Sequence, residues 1–197
     1  MGAVYDLILR RRTIRRFQQK PVSREILTRV VNAGRLAPSG MNLQPLEFVV
    51  VDAPDLLPEV FKTTGWAGYI APKGTPPEGE RPVAYIVVLI NRGIKKFAGQ
   101  HDVGAAMMNM ILTALEEGVG SCWIGTIERT ELAALLQIPE SREIDSLLAL
   151  GYPAEQPVVE EFRGSVEYWK DEQGVLHVPK RPLAALLHWN GFGNKNA

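Results

Sequence analysis

An uninterrupted apolar run at residues 83–90 constrains the fold of this chain more than any other stretch. Its sequence, Val-Ala-Tyr-Ile-Val-Val-Leu-Ile, is long enough for a strand and too short to span a membrane as a helix. A short apolar run rich in β-branched residues predicts a buried strand. Three more strands are predicted at residues 47–51, 119–127 and 144–150. Glycines interrupt residues 119–127, and glycine within a strand often marks the close approach of another backbone or a ligand.

Helical patterns lie between these strands. The helix at residues 102–117 is apolar almost all round, which predicts either deep burial or a helix–helix seam in a dimer. About four strands alternating with helices predict a layered α/β or α+β domain. The other predicted helices cover residues 3–11, the stretch from a Ser23 N-cap to a stop at Ala37-Pro38, residues 55–62, and residues 131–136 with Thr130 as N-cap.

Residues 154–197 carry a weaker pattern, with only a helical turn or two predicted at residues 183–189. A segment with so little regular structure has few means of folding alone. We therefore expect one domain over residues 1–197, in which residues 154–197 form an extension that lies across the domain or a second subunit.

The composition is that of a globular protein and excludes a disulfide scaffold. The chain has 197 residues, 46% of them hydrophobic, and its 22 Lys and Arg residues balance 22 Asp and Glu residues. The single cysteine, Cys122, cannot form an intramolecular disulfide, and we interpret it as a small buried hydrophobic residue rather than a redox centre. The N-terminal residues show no hydrophobic signal region, so a cytoplasmic location is expected.

A concentrated positive charge lies at residues 10–16, Arg-Arg-Arg-Thr-Ile-Arg-Arg, where five of seven residues are arginine. Grouped guanidinium groups repel one another unless an anion lies among them, and their planar shape suits phosphate. Considered alone, the run is more typical of a solvated helix end or a nucleic-acid-binding patch. The balanced total charge argues against a dedicated nucleic-acid-binding protein.

Two loops are candidates for a ligand site. The loop at residues 37–45 carries Ser39, Asn42 and Gln44, whose side chains can hydrogen-bond a ligand but can equally stabilise turns. The loop at residues 64–82 has eight glycines or prolines among 19 residues, and a loop of this length is often functional or mobile. Its Trp66 and Tyr69 could be core anchors, parts of a lid, or interface residues.

Three separated motifs resemble those of one family. Residues 11–17, Arg-Arg-Thr-Ile-Arg-Arg-Phe, resemble the Arg-Arg-Ser-x-Arg-x-Phe motif of the nitroreductase family of FMN-dependent oxidoreductases. Residues 37–45 resemble its Ala-Pro-Ser-x-x-Asn-x-Gln-Pro motif, and residues 118–125 its Gly-x-Gly-Ser-Cys-Trp-Ile-Gly segment. The closing residues 180–183 and 188–190 are similar to the family's C-terminal ending.

The resemblance implies an α+β fold with α/β/α layers, a central, mostly antiparallel sheet of four to five strands, and an intertwined homodimer. It also implies that two FMN molecules lie at the dimer interface, each touched by both subunits. The extended C-terminal residues would then pack across the dimer. No Gly-x-Gly-x-x-Gly or Walker motif is present, so side chains rather than a glycine-rich turn must hold most of the phosphate.

The resemblance also assigns roles to individual residues. Arg15 corresponds to a basic residue near the pyrimidine side of the flavin, whereas Arg10 and Arg16 have no assigned partner and are expected to be solvated. The remaining assignments are Arg11, Arg12 and Thr13 at the FMN phosphate and ribityl chain, Pro38, Ser39 and Asn42 from the partner subunit with Gln44 beside them, the backbone of Gly125 and Thr126 facing flavin N5, and Lys180 or Arg181 closing on the phosphate.

These assignments predict an NAD(P)H-dependent FMN oxidoreductase that reduces nitroaromatics, quinones or similar acceptors by a ping-pong cycle. Hydride would pass through flavin N5, so no catalytic side chain and no metal is expected. The alternatives are a specialised branch, such as a reductive dehalogenase or an enzyme that consumes reduced flavin, and a flavin-binding protein without turnover. The choice between NADH and NADPH is open.

Overall fold

Four antiparallel strands form the central sheet of the computed structural model, which describes residues 2–97 and 99–195. The order across the sheet is β1-β2-β4-β3, so that β1 and β3 are the edge strands. All three neighbouring pairs are antiparallel. The strands are β1 (Leu46–Val51), β2 (Ala84–Asn91), β3 (Gly120–Ile124) and β4 (Arg142–Gly151).

The central strand β2 is buried along its whole length, which confirms the expectation drawn from its apolar run. Successive side chains of a strand point to opposite faces of the sheet. Tyr85 and Val87 accordingly lie in one hydrophobic core, and Ile86 and Val88 lie in another on the opposite face. Both faces of the sheet are therefore covered, as a strand without a polar side requires.

Helices supply the two outer layers. One core contains Leu27 and Met107 from α2 and α4, and the other contains Val60 and Leu132 from α3 and α5. This arrangement confirms the predicted α+β fold with α/β/α layers. The helices are α1 (Ala3–Arg10), α2 (Arg24–Arg35), α3 (Leu57–Lys62), α4 (Gln100–Glu116) and α5 (Arg129–Leu135).

The helix ends agree with the sequence in α2 and differ in α5. Ser23 is the N-cap of α2, and its Oγ accepts the N–H of Ile26 at 3.3 Å. The prediction that Thr130 caps α5 is wrong, because the helix begins at Arg129 and Thr130 lies inside its first turn. Glu128, the residue just before the helix, is fixed by its N–H, which donates to the carbonyl of Thr63 at 2.8 Å.

Residues Gln156–Ala197 cluster as a second unit, separate from Met1–Glu155. This unit contains the short strands β5 (Val158–Glu161), β6 (Trp169–Lys170) and β7 (Leu176–Lys180), followed by helix α6 (Leu183–Leu186). Strand β7 pairs in parallel with β5 and antiparallel with β6. The sequence analysis does not anticipate this sheet, and the packing of the extension across a dimer stays a prediction.

A histidine stabilises the second unit from its centre. The Nδ1 of His177 lies 2.7 Å from Glu160 Oε1, and its Nε2 lies 3.0 Å from Asp171 Oδ2. Its ring stacks on Trp169 with 4.0 Å between the ring centroids. Asp171 and then Glu160 raise the pKa of His177. The stabilisation is therefore complete below the unfolded pKa of about 6.5 and is lost as the pH rises through the folded pKa.

The packing of other side chains against Gly120, at the start of β3, can be tested by substitution. A β-carbon at Gly120 would lie 2.9 Å from Ile14 Cγ1, closer than real β-carbons approach, and 3.0 Å from Pro153 Cγ, which is also tight. Gly120→Ala should therefore lower the free energy of unfolding by roughly 1–3 kcal/mol, measured by urea denaturation. Gly68→Ala is the control, because a β-carbon there meets nothing within 4 Å. Equal stabilities of the two variants would contradict the close approach.

Candidate active site

The arginine-rich segment lies along the free edge of strand β3. Thr13 forms a parallel bridge with Ser121, and the N–H of Ile14 donates to the Ser121 carbonyl at 2.9 Å. Ile14 and Phe17 are buried in the core below the sheet edge. The motif at residues 11–17 is thus joined directly to the glycine-rich strand, although more than 100 residues separate them in sequence.

Glu155 fixes the backbone of this segment. Its Oε1 accepts the N–H of Arg15 at 2.6 Å and the N–H of Arg16 at 3.3 Å. The sequence analysis does not identify Glu155, because the contact spans 140 residues and no local pattern marks it. A carboxylate that receives two backbone donors holds the segment in place without using the arginine side chains.

The arginine side chains differ in their partners. Arg16 forms an ion pair with Glu80, so the expectation that Arg16 is merely solvated is wrong. Within residues 2–97 and 99–195, no carboxylate pairs with Arg11 or Arg12. Both are half-buried, and the side chain of Arg12 donates to the carbonyl of Arg11.

The Arg11–Arg12 pair has the electrostatics of an anion site. Burial and then the charge of Arg11 lower the pKa of Arg12, because both disfavour its charged form. An anion placed between the two guanidinium groups would offset both effects. The hydroxyl of Thr13 follows directly in the chain and can add a neutral hydrogen bond.

Gly125 and Thr126 follow strand β3 and are exposed. No atom lies within 4 Å of the position that a β-carbon would take at Gly125, so space is open beside this backbone. The carbonyl of Thr126 accepts the N–H of Gly65 at 2.9 Å, and Arg129 Nη2 donates to the carbonyl of Gly125 at 3.3 Å. The backbone beside the open space is therefore held from two sides.

The loop at residues 37–45 has a fixed backbone. The N–H of Gly40 donates to Asp102 Oδ1 at 3.0 Å, and Asp102 Oδ2 pairs with Lys95 Nζ at 2.6 Å. Ser39 Oγ accepts the N–H of Gln44 at 2.9 Å, so its oxygen stabilises the loop. The turn interpretation thus holds for Ser39 and also for Gln44, whose exposed side chain donates from Nε2 to the carbonyl of Asn42 at 3.4 Å. The side chain of Asn42 is exposed.

The structure does not bring the predicted cofactor residues together in one chain. Arg11, Arg12, Thr13, Arg15, Gly125 and Thr126 lie beside edge strand β3, whereas Pro38, Ser39, Asn42 and Gln44 precede the opposite edge strand, β1. Three strand spacings, or roughly 14 Å, separate the two edges. Among the described residues no hydrogen bond or ion pair joins the two groups.

Lys180 and Arg181 belong to the second unit, where Lys180 ends strand β7 and both residues are exposed. Their predicted contact with the phosphate stays a prediction. Each has an exposed charge available for a ligand, and no ion pair among the described residues engages either side chain.

Cys122 has the character expected of a hydrophobic residue. It is 4% exposed in the core, and burial raises the pKa of its thiol to about 11. The thiol is therefore protonated at neutral pH and a poor nucleophile. Across the described part of the chain, no group of three His, Cys, Asp or Glu residues could hold a metal ion, and no helix is long and apolar enough to cross a membrane.

Comparisons with known proteins agree with this fold and these motifs. The model of the Nitroreductase family matches residues 8–73 and 79–152. A relative from Archaeoglobus fulgidus, "Putative NADH dehydrogenase/NAD(P)H nitroreductase", is 32% identical over 163 residues, which cover 79% of this chain and 88% of the relative. The chain therefore belongs to the Nitroreductase family, a class of oxidoreductases, as its three motifs predict.

Two other proteins are also similar to this chain. The crystal structure of "a putative nitroreductase in complex with FMN" from Desulfovibrio desulfuricans is 27% identical, has a TM-score of 0.69, and matches over 98% of this chain and 99% of that one. An "Iodotyrosine deiodinase" from Haliscomenobacter hydrossis is 24% identical over 201 residues, covering 88% of this chain and 87% of the relative.

Proposed function

We propose that this protein is an FMN-dependent oxidoreductase that passes hydride from NADH or NADPH to a small organic acceptor such as a nitroaromatic or a quinone. The observation that carries the proposal is the half-buried Arg11–Arg12 pair without a carboxylate, fixed to the edge of the strand that ends at open Gly125. The FMN complex of the Desulfovibrio protein supports the choice of cofactor. A cytoplasmic location stays a prediction.

The residues at this edge fit the two ends of FMN. The phosphate is close to a dianion at neutral pH, and Arg11, Arg12 and Thr13 can hold it with charge-assisted hydrogen bonds. A planar ring could approach the backbone of Gly125 closely, because no residue beyond its chain neighbours has an atom within 4 Å of the position that a β-carbon would take there. When bound there, FMN would supply two-electron hydride chemistry, which no side chain can perform.

The protein's own contribution is to bind and orient the cofactor and to set the charge around it. Glu155 holds the backbone of Arg15 in place, which fixes the point at which this side chain leaves the segment beside β3. A fixed cation there favours negative charge on a neighbouring ring. No acid–base side chain is assigned, and the proton for the product comes from water.

A second copy of the chain completes the proposed site. Within one chain, Ser39, Asn42 and Gln44 precede β1, roughly 14 Å from the β3 edge that carries the arginines. In a homodimer, the loop at residues 37–45 of one subunit would approach the β3 edge of the other. Lys180 or Arg181 would close on the phosphate. Light scattering of the purified protein at several concentrations tests the dimer, and a monomer that retains FMN would contradict it.

Spectroscopy tests the proposed reaction. The purified protein should be yellow or become so after reconstitution with FMN. Anaerobic addition of NADH and of NADPH in separate experiments should bleach the flavin absorbance, and a nitroaromatic or quinone should restore it. A colourless protein that cannot be reconstituted would overturn the cofactor assignment. Bleaching by one nicotinamide only would identify the donor.

Arg15→Ala should lower the reduction potential of the bound flavin. A cation near the ring favours the charge that arrives on reduction, and its removal should cost on the order of 30 mV, equivalent to ~1.4 kcal/mol for a two-electron couple. Potentiometric titration against reference dyes gives the value. Arg15→Lys keeps the charge and should retain most of the potential, so equal potentials in wild type and Arg15→Ala would refute the role.

A second candidate function is reductive dehalogenation, which the match to the Haliscomenobacter deiodinase favours. It predicts that neither nicotinamide bleaches the flavin efficiently, whereas protein reduced with dithionite releases iodide from iodotyrosine. Rapid reduction by NADH or NADPH without iodide release would exclude it. Two further outcomes would indicate the remaining alternatives. Consumption of added reduced flavin would indicate an enzyme that uses reduced flavin as its substrate. A bound flavin that no donor reduces would indicate a flavin-binding protein without turnover.

A further inference from the structure

A cleft of about 260 Å³ lies on the first unit, outside the residues of the proposed FMN site. Part of its lining is apolar and comes from Pro54 and from Leu57 and Pro58 at the start of α3. Glu78 and Arg81 line the same cleft and supply its charged groups. The proposed reaction uses neither of these two charged residues.

Arg81 is held in this cleft by packing rather than by polar partners. Its guanidinium carbon lies 4.3 Å from the centroid of the Phe61 ring, so the planar group is stacked. Its backbone carbonyl accepts Gln19 Nε2 at 3.0 Å, which fixes the chain at this residue. The contact with Gln19 thus fixes the backbone of Arg81, and the contact with Phe61 orients the plane of its guanidinium group.

The polar atoms of the Arg81 side chain lack hydrogen-bond partners among the described residues. Its Nε is buried without a hydrogen bond, and within residues 2–97 and 99–195 no acceptor or carboxylate engages its guanidinium group. Buried donors are nearly always paired in folded proteins, so the unpaired Nε shows that no protein acceptor faces this group, and the Nη atoms are the donors that a ligand in the cleft could reach. Nearby arginines do have carboxylates, since Arg16 pairs with Glu80 and Arg24 with Asp52.

The chemistry of the cleft points to one class of ligand. A guanidinium group presents parallel N–H donors that match a carboxylate. The three apolar residues of the same lining would contact a short aliphatic chain. Glu78 lines the same cleft and would disfavour a dianion such as phosphate more than a monoanion.

We propose that this cleft binds a small monocarboxylate with a compact aliphatic body. The carboxylate accepts hydrogen bonds from the Arg81 guanidinium group, and the body packs on Pro54, Leu57 and Pro58. This site is independent of FMN and remains testable if the proposed oxidoreductase activity is wrong.

Calorimetry with isovalerate and its neutral analogue isovaleramide tests the proposal on the full-length protein at constant ionic strength. An aliphatic probe is chosen because an aromatic one could bind where an aromatic acceptor does. We expect saturable binding of isovalerate with a dissociation constant of about 1 mM, which is typical of a ligand of this size. Isovaleramide should not bind. Absence of saturation by isovalerate, or equal binding of the amide, would overturn the proposal.

Three variants assign the binding to this cleft. Arg81→Gln should weaken isovalerate binding at least about tenfold, because the charge-assisted hydrogen bonds are lost. Glu78→Gln, at an exposed position, should tighten it several-fold, and Arg12→Gln should leave it unchanged. Loss of binding in Arg12→Gln, or wild-type affinity in a folded Arg81→Gln, would place the ligand elsewhere. If Arg81→Gln does not fold, unchanged affinity in Glu78→Gln overturns the proposal.

Discussion

Arg12→Ala should bind FMN about 10–100-fold more weakly than the wild-type protein, because a charge-assisted hydrogen bond to a phosphate is lost. Arg12 is half-buried beside Arg11, and no described carboxylate neutralises the pair. Flavin occupancy after extensive dialysis, followed by titration of the stripped protein with FMN, gives the change in affinity. The fold should persist, because among the described residues the side chain of Arg12 donates only to the neighbouring carbonyl of Arg11.

Arg10→Ala is the matched control for this experiment. Arg10 belongs to the same basic run but is exposed at the end of α1. Its removal lowers the local positive charge by the same amount, so a general electrostatic effect would weaken both variants alike. Unchanged FMN retention in Arg12→Ala, or equal losses in the two variants, would refute a specific role of Arg12 at the phosphate.

Asp102→Ala should lower the free energy of unfolding by roughly 2–4 kcal/mol, because it leaves a largely buried ammonium group without its partner. Asp102 is 5% exposed, and its two oxygens engage Lys95 Nζ at 2.6 Å and the N–H of Gly40 at 3.0 Å. The substitution should also loosen the loop at residues 37–45. Urea denaturation measures the first effect and hydrogen exchange at Gly40 the second.

Asp52→Ala is the control for the loss of Asp102. Asp52 pairs with Arg24, whose side chain is 84% exposed, so this surface pair should contribute at most ~1 kcal/mol.

Burial would raise the pKa of Asp102, but Lys95 and the N–H of Gly40 hold it below its usual value. The stabilisation by Asp102 is then complete above the unfolded pKa of about 3.9 and is lost as the pH falls through the folded pKa. A stability difference between wild type and Asp102→Ala that persists at the acid end would contradict this.

The first unit could be predicted largely from the sequence. The apolar run of β2 and the helical spacing of α4 are local patterns, and both elements form where these patterns place them. The glycines of residues 119–127 indicated the close approach of another backbone or a ligand, whereas the close neighbours of Gly120 are the side chains of Ile14 and Pro153. The strand order could not be predicted, because β2 and β4 are neighbours in the sheet but lie about 50 residues apart in the chain.

The second unit and the supports of the candidate site were missed for physical reasons. Strands of two to five residues, such as β6 and β7, are too short to show a period, and their pairing is decided by contacts such as that of His177 with Glu160. The motifs identified Arg11, Arg12 and Gly125, but not Glu155, because a carboxylate that binds a distant backbone leaves no local pattern.

The contact between Arg15 and Glu155 also determines when the site can form during synthesis. The two residues are 140 positions apart, so the arginine segment is made first and waits for almost the entire first unit to follow. Long-range contacts of this kind form slowly, and chains emerging from the ribosome fold from their N-terminal end. Until β3 and Glu155 have emerged, residues 11–17 remain an unpaired basic strand, open to polyanions and other unfolded chains. A nascent chain stalled before residue 155 should therefore fail to retain FMN, even when the FMN concentration is raised.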